Sequence, residues 1–426
     1  MRLRWLSSCA ALSFGLLLSC SSTPEGSIVI VTGDETDVFS RAPAPVTLVT
    51  EKIGTDGKRT EIARTPLPAD TIDLGEPQRT EIGALSLSGI DAAGKPLVRG
   101  ETLFVQWGAL ENASLEVFVQ RTGELARMPR GPAAFDALAA TIVVGRYVLA
   151  ANGTSTMLYD LLGLKPLSSS PVFPRPARSI ASVGTAALVI DDAGATAFEL
   201  SDGTSNVLEP PTGGTFAEIA GGQTFMAPDG TQYIVGATRA SGGATARILV
   251  LSPKGSGSFA ALSAPREGAC ATYVEGRGLV VVGGDASAAG AEVLAAGASV
   301  ATPLPFPADA VKGCGAATLD NAHVAVVGDG EPVHVLDLAC TTDCKPAAWP
   351  APVPLVRAEA QPLAPDALFV VGDDADGATH AYRASATELR EVPLRIARRG
   401  ARLLATPVGA LAVVGGGAPG IEQYLE

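Results

Sequence analysis

Short apolar runs recur at a nearly constant spacing through the last two-thirds of the chain, and glycine or aspartate follows most of them. Six runs end 43 to 47 residues apart, and an earlier, looser copy ends 39 residues before the first of these. The seven runs are Tyr147–Ala151, Ala187–Ile190, Gln232–Val235, Leu279–Val282, Val324–Val327, Leu368–Val371 and Leu411–Val414. Because polar residues do not alternate within them, the runs predict strands buried on both faces. A strand repeated at this period is typical of a β-propeller.

Most repeats also share an internal order of strands. A strand such as Gly268–Tyr273 precedes the buried run, and a turn rich in glycine and aspartate follows it. A third strand then alternates apolar and polar residues, as in Met157–Asp160, Val333–Asp337, His380–Arg383 and Ile421–Tyr424. The pattern predicts an all-β fold with a seven-bladed propeller over residues 108–426. An eighth blade, with Leu103–Val105 as its buried strand, is the alternative.

The last copy of the repeat ends on its third strand, at Glu426. An incomplete final blade would leave an exposed strand edge in the ring. We therefore expect the missing strand to come from the segment before the first repeat, within Leu115–Met128.

Double glycines follow two of the buried runs, and tyrosines occupy a similar place on several third strands. The residues concerned are Gly283, Gly284, Gly415, Gly416, Tyr159, Tyr382 and Tyr424. In these residues the segment 130–426 resembles the Kelch-type propeller family, although Gly328-Asp329 and Gly372-Asp373 replace the double glycine elsewhere. The resemblance implies a ring of blades. It does not name a ligand, since function resides in sites rather than in folds.

Residues 27–107 lie outside the repeat and contain short strand-like segments separated by polar turns. The segments are Ile28–Val31, Val46–Val49, Arg59–Ile62, Ala84–Leu87 and Leu103–Val105. About eighty residues of this kind predict a small Ig-like β-sandwich before the propeller. Abundant glycine (48) and proline (31), with only 5% aromatic residues, fit an all-β chain with many turns.

The first 26 residues have the pattern of an exported protein. A basic start, the apolar stretch Ala10–Leu18 and a small residue before a cut describe a secretory signal peptide. The residues Leu17–Cys20 resemble the lipobox of bacterial lipoproteins. That resemblance implies a signal peptide over residues 1–19, acylation of Cys20 on its thiol and new amino group, and a tether over residues 20–26. An ordinary secreted protein is the alternative.

Charge and sorting signals narrow the location and the partners. Without residues 1–19 the chain has 29 basic and 44 acidic residues, a net charge of −15. Such a chain repels phosphate backbones, so we expect no nucleic-acid partner and no basic membrane-binding patch. Ser21 follows Cys20 where some bacteria use aspartate to retain lipoproteins, which favours the outer membrane, on its periplasmic or surface face.

Four cysteines remain in the mature chain after Cys20. An even number in an exported protein predicts two disulfides, for which three pairings exist. Cys270 and Cys314 lie 12 and 13 residues before the ends of adjacent buried runs, and Cys340 and Cys344 bracket a short polar turn. These positions favour Cys270–Cys314 and Cys340–Cys344. A zinc site is the rival, but the three histidines lack ligand spacing.

Other reactive side chains give no catalytic set. A nucleophilic triad needs three groups within hydrogen-bond reach, and His323, His334 and His380 fall on separate repeats. Asp373, Asp374 and Asp376 resemble a fragment of a calcium loop, yet aspartate beside glycine is also common in β-turns. We therefore expect no metal and no cofactor, and these aspartates are the one calcium candidate.

The sequence predicts a membrane-tethered lipoprotein that is not an enzyme and binds an envelope protein or a glycan through propeller loops. The alternative is a glycan-active enzyme, a hydrolase or lyase, that uses acids at the mouth of the propeller channel. Such enzymes need two carboxylates roughly 5–10 Å apart.

Overall fold

The computed structural model describes residues 2–3, 27–69, 79–110, 113–136, 140–168, 170–236, 243–284, 290–308 and 314–426. In these ranges the regular structure consists of 37 strands and two short 3-10 helices. The described part contains no helix with the length and apolar character needed to cross a bilayer. The predicted leader beyond residue 3, Cys20 and the tether lie outside the described residues.

The N-terminal segment forms two sheets, which we call the N-terminal sheets. Its elements are β1 Arg2–Leu3, β2 Ser27–Val31, β3 Thr47–Gly54, β4 Arg59–Pro66, β5 Ile82–Ile90, β6 Pro96–Glu101, β7 Val105–Gln106, the 3-10 helix Trp107–Leu110, β8 Ser114–Phe118 and β9 Gln120–Arg121. The larger sheet has the order β4-β3-β5-β6-β9, with β7 beside β5. The smaller sheet has the order β1-β2-β8.

The two N-terminal sheets share one apolar core. In the larger sheet every neighbouring pair is antiparallel, and β3 pairs with β5 from Thr47–Ile90 to Gly54–Gly83. In the smaller sheet β2 and β8 are parallel. Leucines 48, 85 and 87 of the larger sheet pack with Ile28, Leu115 and Val117 of the smaller one. Alternation along each strand directs these residues to one face.

The N-terminal sheets extend further along the chain than residues 27–107. Ser114–Phe118 pairs with Ser27–Val31, and Gln120–Arg121 pairs with Pro96–Glu101. The structural division therefore falls after Arg121, because both strands complete sheets that begin before the predicted boundary. Val105, the last residue of the Leu103–Val105 segment that the eighth-blade alternative uses, belongs to β7, which also pairs with a strand of the N-terminal sheets.

The rest of the described chain forms seven four-stranded antiparallel sheets, numbered 1 to 7 in chain order. Sheets 1 to 3 contain β11 Ala140–Val144, β12 Tyr147–Asn152, β13 Ser155–Asp160, β14 Lys165–Pro166, β15 Ser179–Val183, β16 Ala186–Ile190, β17 Ala195–Glu199, β18 Ser205–Leu208, β19 Gln223–Met226, β20 Gln232–Val235, β21 Thr245–Leu251 and β22 Gly257–Arg266. The second 3-10 helix, Phe216–Glu218, precedes β19. Four consecutive strands make each of these sheets.

Sheets 4 to 6 follow the same plan, and sheet 7 differs only in its outermost strand. Their strands are β23 Cys270–Val274, β24 Gly278–Val282, β25 Ala291–Leu294, β26 Thr302–Leu304, β27 Gly315–Thr318, β28 His323–Val327, β29 Pro332–Asp337, β30 Ala347–Pro352, β31 Arg357–Ala364, β32 Ala367–Asp373, β33 Thr379–Ser385, β34 Leu389–Glu391, β35 Arg402–Ala405, β36 Leu411–Val414 and β37 Ile421–Tyr424. The fourth strand of sheet 7 is β10 Leu125–Arg127.

Each of the seven predicted apolar runs forms the second strand of one of these sheets. The reason is burial on both faces, since the apolar clusters are shared by neighbouring sheets. For example, Leu149 and Leu158 of sheet 1 pack with Val189 and Phe198 of sheet 2. Four-stranded sheets that pack face to face in sequence are the architecture of a β-propeller.

The ring is closed by a strand from the N-terminal side. Leu125 pairs with Tyr424 and Arg127 with Glu422, so β10 completes sheet 7 beside β37. This strand lies within the segment Leu115–Met128, as predicted from the open edge of the last repeat. Only residues 122–124 separate it from β9, the last strand of the N-terminal sheets.

Candidate functional site: the central channel

The first strands of six propeller sheets enclose one cavity of about 280 Å³, which we call the central channel. Strands β11, β19, β23, β27, β31 and β35 contribute its lining. A first strand has a hydrogen-bonded neighbour on one side only, so its other edge presents backbone N–H and C=O groups to the channel. Such groups need a partner, which makes the channel suited to water or to a polar ligand.

Most side chains of the channel lining are small or neutral. They include Thr141, Thr224, Ala271, Thr272, Gly315, Ala316, Ala317, Ala360, Gln361 and Ala405. Thr272 and Thr318 are hydrogen-bonded between neighbouring sheets, at 2.9 Å, and the Thr318 hydroxyl also donates to the Tyr273 carbonyl. These two threonines therefore join neighbouring first strands, and Thr272 also lines the channel.

Glu359 is the one carboxylate in the described lining of the channel. It accepts hydrogen bonds from Arg402 Nε, from the Leu403 N–H at 2.7 Å and from Arg357 at 3.4 Å. These bonds commit the carboxylate to joining sheets 6 and 7. A pair of carboxylates at the spacing that glycoside hydrolysis needs is absent from this described lining.

Both predicted disulfides are present. Cys270–Cys314 joins the first strand of sheet 4 to the residue directly before the first strand of sheet 5, in the channel wall, with its Cα atoms 5.6 Å apart. Cys340–Cys344 closes the loop after β29, with a Cα separation of 5.9 Å. The Cys344 N–H donates to the Pro305 carbonyl of the neighbouring sheet. All four cysteines border the same apolar cluster between sheets 4 and 5.

The calcium candidates Asp373, Asp374 and Asp376 are engaged by the protein itself. Asp373 accepts hydrogen bonds from Arg357 at 2.6 Å, the Thr379 hydroxyl at 2.7 Å and the Gly400 N–H at 2.9 Å. Burial alone would raise the pKa of Asp373, but the Arg357 and Thr379 hydrogen bonds outweigh it and lower that pKa.

Asp374 caps the turn between β32 and β33. Its carboxylate accepts the N–H groups of Asp376 and Ala378, both at 2.9 Å, whereas Asp376 offers its backbone carbonyl to Arg399. The Ala378 bond, and then the His380 contact, lower the pKa of Asp374. Within the described ranges, no group of three or more histidine, cysteine, aspartate or glutamate residues is arranged to hold a metal ion.

Two of the three histidines pair with carboxylates rather than with a nucleophile. His380 lies between Glu391, 3.0 Å from Nδ1, and Asp374, 3.1 Å from Nε2. The hydrogen bond to Glu391, followed by that to Asp374, raises the pKa of His380. His323 contacts Asp320 at 2.9 Å on the protein surface. The structure places these groups on different sheets, away from the channel lining.

The structure adds two buried arginine–glutamate pairs that the sequence analysis missed. Arg266 bonds Glu292 at 2.9 Å and the Gly283 carbonyl at 2.5 Å. In sheet 7, Arg398 bonds Glu422 at 3.1 Å and the Gly415 carbonyl at 2.7 Å. All four charged side chains have 0% exposure.

These pairs explain the second glycine of each double glycine. Gly284 and Gly416 have φ of +92° and +75°, and a Cβ there would lie 2.7 or 2.9 Å from the Cβ of Arg266 or Arg398. Each arginine stands 17 residues before the first glycine, and a glutamate comes eight residues after the second glycine in sheet 4 and six residues after it in sheet 7. This repeated spacing is the signal that could have revealed the pairs.

Two of the solved structures that are similar to this chain serve as examples. One is the WD40 domain of Pan2 from Neurospora crassa, which is 12% identical, covers 69% of this chain and 89% of its own, and has a TM-score of 0.42. The other is the mitotic checkpoint complex, which is 10% identical, covers 72% and 92%, and has a TM-score of 0.45. No protein-family model matches the chain, and no curated protein matches it significantly.

Proposed function

We propose that this protein is a bacterial lipoprotein, acylated on Cys20, that acts as a non-enzymatic binding or scaffold module of the cell envelope. The observation that carries the proposal is the chemistry of the central channel, whose described lining has one carboxylate, already held by Arg402 and Leu403. A ring with a neutral wall and loops on two faces suits binding better than acid–base catalysis.

The proposal also covers the number and type of the propeller blades and the type of the N-terminal domain. We count sheets 1 to 7 as seven Kelch-like blades, preceded by an Ig-like sandwich formed by the N-terminal sheets. The two arginine–double-glycine–glutamate networks support the Kelch-like relationship, because both occur where the sequence resembles that family. The apolar core that the two N-terminal sheets share supports the sandwich.

The partner in this proposal is an envelope protein or a glycan, and the location is the outer membrane, on its periplasmic or surface face. The lipobox resemblance at Leu17–Cys20 and Ser21 in the next position support that location. The glycan-active alternative has no specific support in the described channel, since it needs a second carboxylate near Glu359.

The test is an affinity pull-down of the full-length protein from crosslinked native envelopes, with Cys20→Ala as the matched control. We expect the unsubstituted protein in the membrane fraction with a reproducible envelope partner. The Cys20→Ala protein should be soluble and should lose that partner. An unsubstituted protein that is soluble, or that hydrolyses envelope glycans without a retained partner, would overturn the proposal.

A further inference from the structure

We propose that Ile82 and Phe104 form a membrane-contact patch that sets how the protein is oriented on the bilayer. This inference rests on the proposed acylation of Cys20, because a lipid at that position brings the N-terminal sheets to the membrane surface. Both side chains are large and apolar, and they are 51% and 48% exposed.

Ile82 and Phe104 lie on the same side of the larger N-terminal sheet. Ile82 pairs with Gln106 and Gly83 with Val105 in antiparallel register. Phe104 directly precedes β7, and continuing the alternation of side chains back by this one residue places it on the same side as Gln106, and therefore on the same side as Ile82. The two residues are diagonal cross-strand neighbours, close enough for large side chains to form one patch.

The patch is at the end of the sheet where the chain leaves the tether. A Cβ on Gly100 would lie 2.2 Å from the Phe118 carbonyl oxygen, which places β6 beside the end of β8. Strand β9 continues from β8 and runs antiparallel to β6, so going back along β8 and forward from β6 leads to the same end of the sheets. Four residues back from Phe118 is Ser114, which pairs with Ser27. Four residues forward from Gly100 is Phe104.

The tether is short enough to hold this end against the bilayer. Residues 20–26 number seven, and a fully extended chain of that length reaches at most about 25 Å. Among the described residues, the other exposed large hydrophobic residue next to this sheet is Val46, which lies at the opposite end, where its N–H donates to the Ile90 carbonyl. Of the two ends, the one bearing Ile82 and Phe104 therefore meets the lipid first.

The patch supplies orientation rather than affinity. Two acyl sites on Cys20 are sufficient for stable anchoring, so two half-exposed side chains add little to retention. Insertion of Ile82 and Phe104 beside the anchor removes rotational freedom about the tether. The propeller then keeps one fixed orientation toward its partners.

The experiment measures contact with lipid at three positions, as the quenching of tryptophan fluorescence by a label in the bilayer. Ile82→Trp, Phe104→Trp and, as the matched control, Val46→Trp are introduced into the full-length, acylated protein. Each protein is reconstituted into phosphatidylethanolamine–phosphatidylglycerol vesicles with a spin label near the top of the acyl chain. The fluorescence of Trp107 and Trp349, which are buried, is measured in the unsubstituted protein and subtracted.

We expect the spin label to quench the fluorescence of the tryptophans introduced at positions 82 and 104 at least threefold more than that of the tryptophan introduced at position 46. Equal quenching at all three positions, or stronger quenching at residue 46, would overturn the inference and leave the patch to a protein partner. Mass spectrometry of the N-terminal peptide separately tests acylation of Cys20. The same reporters, attached to nickel-chelating vesicles by a histidine tag at position 20, test the patch even if that acylation is absent.

Discussion

Arg398 and Glu422 show what a single charged residue contributes inside this ring. Glu422 accepts hydrogen bonds from the Arg398 side chain and from the N–H groups of Arg395 and Ile396, so it holds the segment that leads into sheet 7. Burial lowers the pKa of Arg398, although Glu422 opposes this effect. Arg398 and Glu422 therefore stabilise this part of sheet 7 only as a pair.

Replacing Glu422 with alanine should lower the free energy of unfolding by about 3–5 kcal/mol, because it leaves the Arg398 charge buried without its partner. Chemical denaturation measures the change. The matched control is Glu61→Ala, since Glu61 pairs with Arg64 on the surface and its loss should hardly move the midpoint. Equal shifts for the two variants would contradict the role assigned to Glu422.

His380 should make the stability of sheet 6 depend on pH. Its folded-state pKa is raised by Glu391 and Asp374, so its contribution is fully present below the unfolded value of about 6.5. That contribution disappears as the pH rises through the folded-state pKa. Relative to His380→Gln, we expect the natural protein to be about 0.5 kcal/mol more stable at pH 5.5 and no more stable at pH 8.5.

Urea denaturation at both pH values tests this expectation. His334→Gln is the control, because His334 is on the third strand of sheet 5 and no carboxylate pairs with it among the described ion pairs. A pH-independent difference between the natural protein and His380→Gln would show that Glu391 and Asp374 do not favour the protonated ring.

At the scale of elements, the two disulfides reinforce the same junction of sheets 4 and 5 by unequal amounts. In the chain-entropy description, removal of Cys270–Cys314, with a separation of 44 residues, costs about 4 kcal/mol. Removal of Cys340–Cys344, with a separation of 4, costs about 2 kcal/mol. Paired alanine substitutions, compared by guanidinium denaturation under oxidising conditions, test the order. A larger loss from the shorter loop would contradict it.

The elements that the sequence predicted are those whose burial leaves a local pattern. Leu279–Val282 and its counterparts read as continuous apolar runs because neighbouring sheets cover both faces. The pairing of Cys270 with Cys314 followed from their equivalent positions in adjacent repeats. By contrast, the place of β8 in the N-terminal sheets was not predicted, because its partner β2 is 87 positions away. The role of Glu359 was not predicted either, because its partner Arg402 is 43 positions away. No local pattern records such contacts.

At the scale of the whole molecule, the β10–β37 pairing holds the ring together. Ala126→Pro should open it, since proline lacks an N–H and its fixed φ does not suit a strand. We expect hydrogen exchange of the Ile421–Tyr424 amides to become much faster and the thermal midpoint to fall by several degrees. Val207→Pro, on the outermost strand of sheet 2, is the control and should only fray that edge. Equal effects of the two prolines would contradict closure by β10.

The origin of β10 also determines when the ring can exist. Gln120, on the preceding strand β9, donates a hydrogen bond to the carbonyl of Gln423, 303 positions later in the chain. A polypeptide emerging from the ribosome or crossing a membrane therefore exposes β10 long before β37 has arrived. A chain interrupted before β37 leaves the edge of β10 unpaired and open to proteases. The ring can thus close only in a chain that has been delivered through Tyr424.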